Sequence, residues 1–274
     1  MAFVTNRGGR DENQDCCGYA QASDGTWIFC VADGLGGHSG GRVAAQAAVQ
    51  GVLKQANQKD FSFEQLDMLQ VFSGAQQHIV DLKHERPELT AMRTTLVVLA
   101  VKDGLALWGH IGDVRLYHLR RNTIRFQTKD QSVPQMLVDT GEIEPHEVRG
   151  HPDRSRVLQA LGKEGEKIRV VAPPSPVQLE SGDVLHLCTD GFWEWIEEAH
   201  LEAAHAQSND LGRVLESLAT ALTERAAAEE PEYDNYTAMS IRIGEIERNI
   251  AFWHKTRFVS TAKPELRQRS SKST

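Results

Sequence analysis

The spacing of apolar residues changes period several times along the chain, and each change marks a different element. Trp27-Ile28-Phe29-Cys30-Val31 is a continuous apolar run, which predicts a buried strand over Thr26 to Ala32. Val43, Ala47 and Gln50 to Leu53 follow i, i+4, i+7, so Arg42 to Ala56 reads as a helix entered through Ser39-Gly40-Gly41. Leu66, Leu69, Phe72, Ile79 and Leu82 extend helical spacing over Phe63 to His84, where Pro87 closes it. The period then shortens. Thr94 to Val101 is rich in β-branched residues, Asp103-Gly104 predicts a tight hairpin, and Leu105 to Gly109 pairs back. Val114 to Leu119, Arg121-Asn122 and Thr123 to Phe126 repeat that signal. Ser132 to Gly165 is mixed, with a short helical patch at Met136-Leu137-Val138 and exposed charges that mark a specificity-bearing flap. Val184 to Leu187 is a further buried strand. Leu201 to Glu229 reads as one helix, with Leu211, Val214, Leu215, Leu218 and Leu222 on one face, and Tyr236 to Ile243 as a last strand. Hairpins interrupted by helical blocks predict an α+β fold with antiparallel sheets, in place of a doubly wound parallel one.

Composition narrows the classes. A chain of 274 residues can bury a substantial core as one domain, and no linker-like stretch precedes residue 260. The formal net charge of −8 excludes a general nucleic-acid binder, since no basic stripe interleaved with aromatics offsets it. Charge is also uneven: Glu245 to Thr274 carries +4, leaving about −12 on the body. This predicts a domain over 1–244 and a basic C-terminal tail over 245–274. In that tail Ile246, Ile250 and Trp253 stand at helical spacing and the last ten residues read as disordered. Cys16, Cys17, Cys30 and Cys188 form no Cys-x-x-Cys pair and read as small buried residues. With no signal-peptide core and no run of ~18 apolar residues, no transmembrane segment is expected. The expectation is a soluble, cytoplasmic monomer.

The candidate chemistry sits where strands end. Ala32-Asp33-Gly34-Leu35-Gly36-Gly37-His38 puts an aspartate after a buried strand, followed by glycines that let backbone approach a ligand. Taken alone, this could be a strand-ending Asx-Gly turn. A nucleotide-binding P-loop is excluded because no Gly-Lys-Ser/Thr follows. Similar strand-end aspartates recur in Gly112-Asp113-Val114-Arg115, Cys188-Thr189-Asp190-Gly191 and Asp234-Asn235-Tyr236-Thr237. Arg10-Asp11-Glu12-Asn13-Gln14-Asp15 precedes them all. In that order the five motifs resemble the protein phosphatase 2C (PPM) family of metal-dependent serine/threonine phosphatases, in its compact bacterial form, from about Arg7 to Ile243. Thr128 to Ser132 and His151 to Arg156, running into Gln159 to Gly162, resemble the segments that flank the family's flap. Pro134 to Gly162 is similar to members associated with type VI secretion.

The resemblance implies a central antiparallel β-sandwich flanked by helix pairs, four layers in the order αββα, with a metal site at one end. It implies hydrolysis of phosphoserine and phosphothreonine in proteins, opposing a bacterial serine/threonine kinase, and no nucleic-acid partner. It further implies two core Mn²⁺ or Mg²⁺ ions. Such a pair, about 3.5–4 Å apart, lowers the pKa of a shared water and clamps phosphoryl oxygens. Oxygen ligands suit these hard cations. Carried over residue by residue, Asp33 bridges both ions, Gly34 offers its carbonyl, and Asp190 and Asp234 hold the other side. Asp15 is an anchor or ligand, and Asp113 joins Asp190 around a third, weaker ion. Asp33, Asp190 and Asp234 are thus the catalytic set, and Arg10 the phosphate binder, its planar fork matching phosphate oxygens. Two positions depart from the pattern: Gln14 stands where relatives carry glutamate, and Leu35 where some carry histidine. His38 and His110 read as structural. A catalytically silent phosphoprotein-binding scaffold is the alternative, disfavoured because every aspartate of the set is present.

Overall fold

The computed structural model describes residues 1–36, 40–89, 91–230, 232–244 and 256–259. Its strands are β1 (Ala2–Asn6), β2 (Cys16–Gln21), β3 (Trp27–Ala32), β4 (Gly34–Leu35), β5 (Arg93–Thr94), β6 (Leu96–Lys102), β7 (Leu105–Ile111), β8 (Arg115–Arg120), β9 (Thr123–Gln127), β10 (Val177–Gln178), β11 (Val184–Cys188), β12 (Tyr236–Arg242) and β13 (Thr256–Val259). The helices are α1 (Gly40–Ala56), α2 (Met68–Glu85), α3 (Val133–Thr140), α4 (Asp190–Trp193), α5 (Glu198–Gln207) and α6 (Leu211–Glu229). One sheet runs β1-β12-β11-β8-β9 and the other β10-β7-β6-β3-β2-β13, while β4 and β5 pair separately. Every pairing is antiparallel.

The layers follow from which face each side chain takes. Along β6, Leu96, Val98 and Ala100 meet α1 and α2, whereas Val97, Leu99 and Val101 point the other way. There they meet Leu185, Leu187, Met239 and Ile241 from the opposite sheet. A strand buried on both faces has no polar face to show, which is why its sequence is a continuous apolar run. The first sheet repeats the arrangement outward: Ala238 and Cys188 pack under Val214, Leu218 and Leu222 of α6. Three apolar layers therefore separate helices, sheet, sheet and helices, the expected αββα order. Each fully buried Leu, Ile or Phe side chain contributes roughly 1.5–3 kcal/mol. No helix among the described residues is long and apolar enough to cross a membrane.

Both predicted hairpin turns form with positive φ at the two central residues, 49° and 74° at Asp103-Gly104 and 53° and 61° at Arg121-Asn122. This is the turn whose twist matches its strands. Two predicted helices break. Over Phe63 to His84 a 3-10 turn at Phe63–Gln65 stops, and Asp67 restarts the helix by accepting from Leu69 N at 2.8 Å. Leu201 to Glu229 divides at Ser208 to Asp210, where Asp210 caps α6 by accepting from Gly212 N and Arg213 N. The strand over Thr94 to Val101 breaks at Thr95, whose N–H leaves the ladder for the Asp33 carbonyl at 2.9 Å. The flap is tied down where it begins and ends: Val133 N donates to Arg156 O, Leu158 N to Gln131 O and Leu161 N to Thr94 O. The helical spacing at Ile246 to Trp253 and the last ten residues lie outside the described residues. Thr256–Val259, by contrast, is a strand on the β2 edge.

Two histidines are sealed inside the α5/β11 layer. His186 shares a hydrogen bond between Nδ1 and Ser240 Oγ at 2.8 Å, while its Nε2 and both ring nitrogens of His205 lack partners. Burial, reinforced by His205, pushes His186 down to about 3; burial, reinforced by Arg242, pushes His205 down to about 4. Unfolded, both would protonate near 6.5. Their stabilising contribution is therefore complete above about pH 6.5 and is lost as pH falls toward their folded values. We expect the urea midpoint of His186→Asn to depend less steeply on pH between 6.5 and 4 than that of the wild type, a difference of a few kcal/mol across the window. Parallel pH profiles would show that His186 does not carry this linkage.

Candidate functional site

The aspartate motifs converge at one end of the sandwich because the strands that deliver them finish there. Asp33 follows β3, Asp113 precedes β8, Asp190 follows β11 and Asp234 precedes β12. Asp33, Asp113 and Asp190 each bring a carboxylate oxygen within 4.8 Å of the others. Asp15, immediately before β2, lies against Asp33 and is buried. Asp234 stands at the mouth, where Arg10 Nη2 reaches its Oδ2 at 3.3 Å with both side chains 48% exposed. The structure thus gathers every aspartate of the predicted set, with Arg10 at the rim. Gly34 is placed differently from the side chains: its carbonyl lies against Gly41 at the start of α1. A Cβ on Gly34 would collide with the backbone carbonyls of Gly41 and Gln14, so only glycine permits this approach.

Five positions that the aspartate pattern does not single out hold the centre in shape. Asn235 accepts from Gln14 N at 2.7 Å and donates to the carbonyls of Arg7 and Glu12, tying the Arg10 loop to the start of β12. Thr189 donates through Oγ1 to Asp15 Oδ2 at 2.9 Å and accepts from Thr237 N at the same distance. Thr95 and Thr94 converge on the Asp33 carbonyl. Asn235, Thr189 and Thr237 stand inside the sequence motifs, close to Asp234 or Asp190; a polar residue beside each strand-end aspartate was the available signal.

Asp113 is set by a second layer. Trp193 Nε1 donates to its carbonyl at 2.8 Å, Arg115 stacks 3.5 Å over the Trp193 ring, and Asp130 grips Arg115 through two bonds of 2.9 and 2.7 Å. The flap joins through Arg154, which pairs with Glu194 and Glu230 at 3.2 Å each. Gln14 directs its amide to the Gly36 carbonyl at 3.5 Å. Leu35 occupies β4 opposite Arg93. His110 is buried in β7, with Nε2 at 2.8 Å from the Lys129 carbonyl, and burial depresses its pKa. His38 lies outside the described residues.

The electrostatics are those of an uncompensated anionic cluster. Burial, reinforced by neighbouring carboxylates, drives Asp33 and Asp190 well above the ordinary carboxylate range. Burial raises Asp15 to about 7 despite hydrogen bonds from Thr237 and Thr189, and raises Asp113 to about 7 with Asp130 as the next cause. Asp15 Oδ1 and Asp113 Oδ1 are buried without a hydrogen-bond partner. Unpartnered, acceptor-only oxygens crowded in a low-dielectric site fit divalent cations that prefer oxygen. All four cysteines are buried thiols in no disulfide, and burial raises each far from thiolate character, so none is an available nucleophile.

Comparison with known proteins points the same way. A family model described as "Protein phosphatase 2C" matches residues 6–235. The chain is 32% identical over 206 residues to "Serine/threonine phosphatase stp" of Listeria welshimeri, covering 73% of this chain and 80% of that protein. Among solved structures, the catalytic domain of the serine/threonine protein phosphatase PstP in complex with two manganese ions superposes with a TM-score of 0.70 at 26% identity, covering 87% of this chain and 96% of that one. PppA of Pseudomonas aeruginosa, described as a key regulatory component of T6SS, superposes with a TM-score of 0.66 at 25% identity, covering 88% and 96%.

The raised carboxylates set the sign of a metal effect on stability. A group held near 7 in the folded protein and near 3.8 when unfolded stabilises fully below about pH 4, and that contribution is lost as pH rises through 7. Metal binding requires the deprotonated carboxylates, so the rise in Tm on adding Mn²⁺ should grow from pH 5 to pH 8. Asp33→Asn, which removes one buried charge, should raise metal-free stability at pH 8 by ~1–3 kcal/mol and lose most of the metal-induced rise. Thermal unfolding with EDTA or Mn²⁺ at both pH values measures this. An increment independent of pH would contradict it.

Proposed function

The chain belongs to the protein phosphatase 2C family, and from that premise we propose that it removes phosphate from phosphoserine and phosphothreonine in proteins at the aspartate centre. The observation that carries this reading is the convergence of Asp33, Asp113 and Asp190 oxygens within 4.8 Å, from three separate strand ends. Asp33, Asp190 and Asp234 would hold two core Mn²⁺ or Mg²⁺ ions, with the Gly34 carbonyl and Asp15 completing the set. Such ions supply a more acidic water and charge neutralisation for the phosphoryl oxygens. The two-manganese complex of the PstP catalytic domain supports that number.

The protein's own residues then have distinct tasks. Thr189 fixes the direction of Asp15 by donating to one oxygen, leaving the other to face the centre. Asn235 fixes where Arg10 begins, and Arg10, half-exposed beside Asp234, presents its guanidinium to the incoming phosphate monoester. The partners on this reading are phosphorylated proteins and an opposing serine/threonine kinase, with the phosphatase acting as a cytoplasmic monomer.

Purified protein should release phosphate from phosphothreonine and phosphoserine peptides with Mn²⁺ or Mg²⁺ and stop when EDTA is added. Undiminished turnover without metal would overturn the metal-dependent reading, and no turnover under any metal would favour a silent binding protein. In the same assay Arg10→Ala should raise KM for phosphopeptides ~10-fold or more while sparing kcat, because it removes binding shared by substrate and transition state. A fall in kcat alone would move Arg10 to transition-state stabilisation.

Asp113 would share a third, weaker ion with Asp190, since a lone carboxylate with one shared partner leaves the remaining ligands to water. Asp113→Ala should therefore keep the two core ions but lose the activation seen at high Mn²⁺. Identical metal-activation curves for wild type and variant would reduce Asp113 to a turn residue.

A further inference from the structure

The middle of the flap reaches back into the core at a place to which the proposed reaction gives no task. Val148 is buried in the same apolar cluster as Tyr117 and Trp193. A short 3-10 turn at Pro145–Glu147, closed by Glu147 accepting from Glu144 N at 2.7 Å, fixes the backbone just before it. Arg149 is thereby delivered to a set position, and its Nη2 donates to Glu198 Oε1 at 2.7 Å with only 20% of the side chain exposed. Its guanidinium carbon stands 5.6 Å from the centroid of the Trp193 ring, within cation–π range, and its Nη1 is buried with no hydrogen-bond partner.

Trp193 is the residue through which that contact reaches the aspartates. It closes α4, the turn that Asp190 opens, and its Nε1 donates to the Asp113 carbonyl, so one indole ties together the two segments that carry these carboxylates. Arg115, gripped by Asp130, stands over the same ring at 3.5 Å. A single oxygen, Glu198 Oε1, joins the two arginines. It accepts from Arg149 at 2.7 Å and from the Tyr117 hydroxyl at 3.2 Å, and lies 3.6 Å from Arg115 Nη1. Removing the Arg149 charge leaves Glu198 with Tyr117 and Arg115, so the core keeps its bonds while the indole loses one of its two cations.

We propose that Arg149 is a positioning residue for Asp113: anchored on Glu198, it braces the Trp193 indole, whose N–H fixes the backbone that carries the Asp113 carboxylate beside Asp190. This rests on the reading of Asp113 as a metal-binding group given above. Groups that orient a metal-binding side chain are felt in the affinity of the ion it holds. A weakly held ion with few protein ligands is the one most exposed to a misaimed carboxylate. The flap thereby acts on the aspartate centre as well as on the incoming phosphoprotein, and moving it away from Glu198 loosens Asp113 while the core ligands stay in place.

Arg149→Met keeps most of the side-chain volume and removes the charge, which separates bracing from packing, and Arg149→Lys restores a cation. Two quantities report without any turnover. One is solvent exchange of the Trp193 indole N–H by NMR, its signal identified by its absence in Trp193→Phe; the other is the weak phase of Mn²⁺ binding by calorimetry. Arg149→Met should speed the exchange and weaken the weak Mn²⁺ phase by ~10-fold or more each, with the tight phase unchanged. Arg149→Lys should recover most of both. Adding Arg149→Met to Asp113→Ala should weaken Mn²⁺ binding no further, since the effect passes through Asp113. Wild-type exchange and binding in Arg149→Met would overturn the proposal, as would a wild type with no weak Mn²⁺ phase. A loss that lysine does not relieve, or one that adds in full to Asp113→Ala, would overturn it too and leave Arg149 a packing residue. If neither wild type nor variants released phosphate from peptides, the phosphatase reading would fall, while indole exchange and Mn²⁺ binding would still decide the role of Arg149.

Discussion

Mutual repulsion among buried carboxylates is the constraint on which the rest of this molecule is arranged. Asp15, Asp33, Asp113 and Asp190 crowd one end of the sandwich, two of them with an oxygen that no protein group satisfies. Left to themselves such groups would separate or stay protonated. They are held because each stands next to a strand whose other residues are locked between apolar layers. The packing of Val97, Leu99, Met239 and Ile241 is thus what keeps like charges together, and stability is spent there on a capacity to bind. The fixed hydrogen bonds of Thr189, Asn235 and Trp193 aim the carboxylates without neutralising them.

The same arrangement divides the pH behaviour of the protein between its two ends. At the aspartate end, folded carboxylates hold protons more tightly than unfolded ones, so stability falls as pH rises. In the α5/β11 layer, neutral histidines resist protonation, and stability falls as pH drops. A divalent ion acts only on the first of these, which places the metal-loaded protein's broadest stability above the histidine range.

Much of this was legible in the chain because it depends on local order. The change of apolar period found β3, α1, β6 to β9, β11 and β12, and the Asp-Gly and Arg-Asn turns announced their own geometry. The aspartates were visible because acids at strand ends recur, two of them, Asp33 and Asp190, followed by glycine. What escaped depends on partners far away in sequence. β1 is a short, partly exposed strand and β2 carries Gly18, and both exist because β12 and β3 offer ladders to them. The breaks at Asp67 and Asp210 interrupt apolar spacing that continues through them, so only the capping bonds reveal the stop. Asn235 and Thr189 act across more than 170 residues, a separation no local pattern records.

The order of strands also dictates when the site can come into being. β12 lies between β1 and β11, pairing Ala2 with Ser240 on one side and Leu187 with Met239 on the other. As the chain emerges from a ribosome, β1 is made well before β12, yet it has no neighbour in its sheet until β12 follows. Such long-range pairing slows folding and leaves an unpaired strand waiting. Asp234 and Asn235 arrive with the same late strand, so the Arg10 loop stays unfastened until then. A nascent polypeptide lacking β12 holds four of the aspartates and none of the closure, and a truncated product of translation would be both inert and prone to associate through its open sheet.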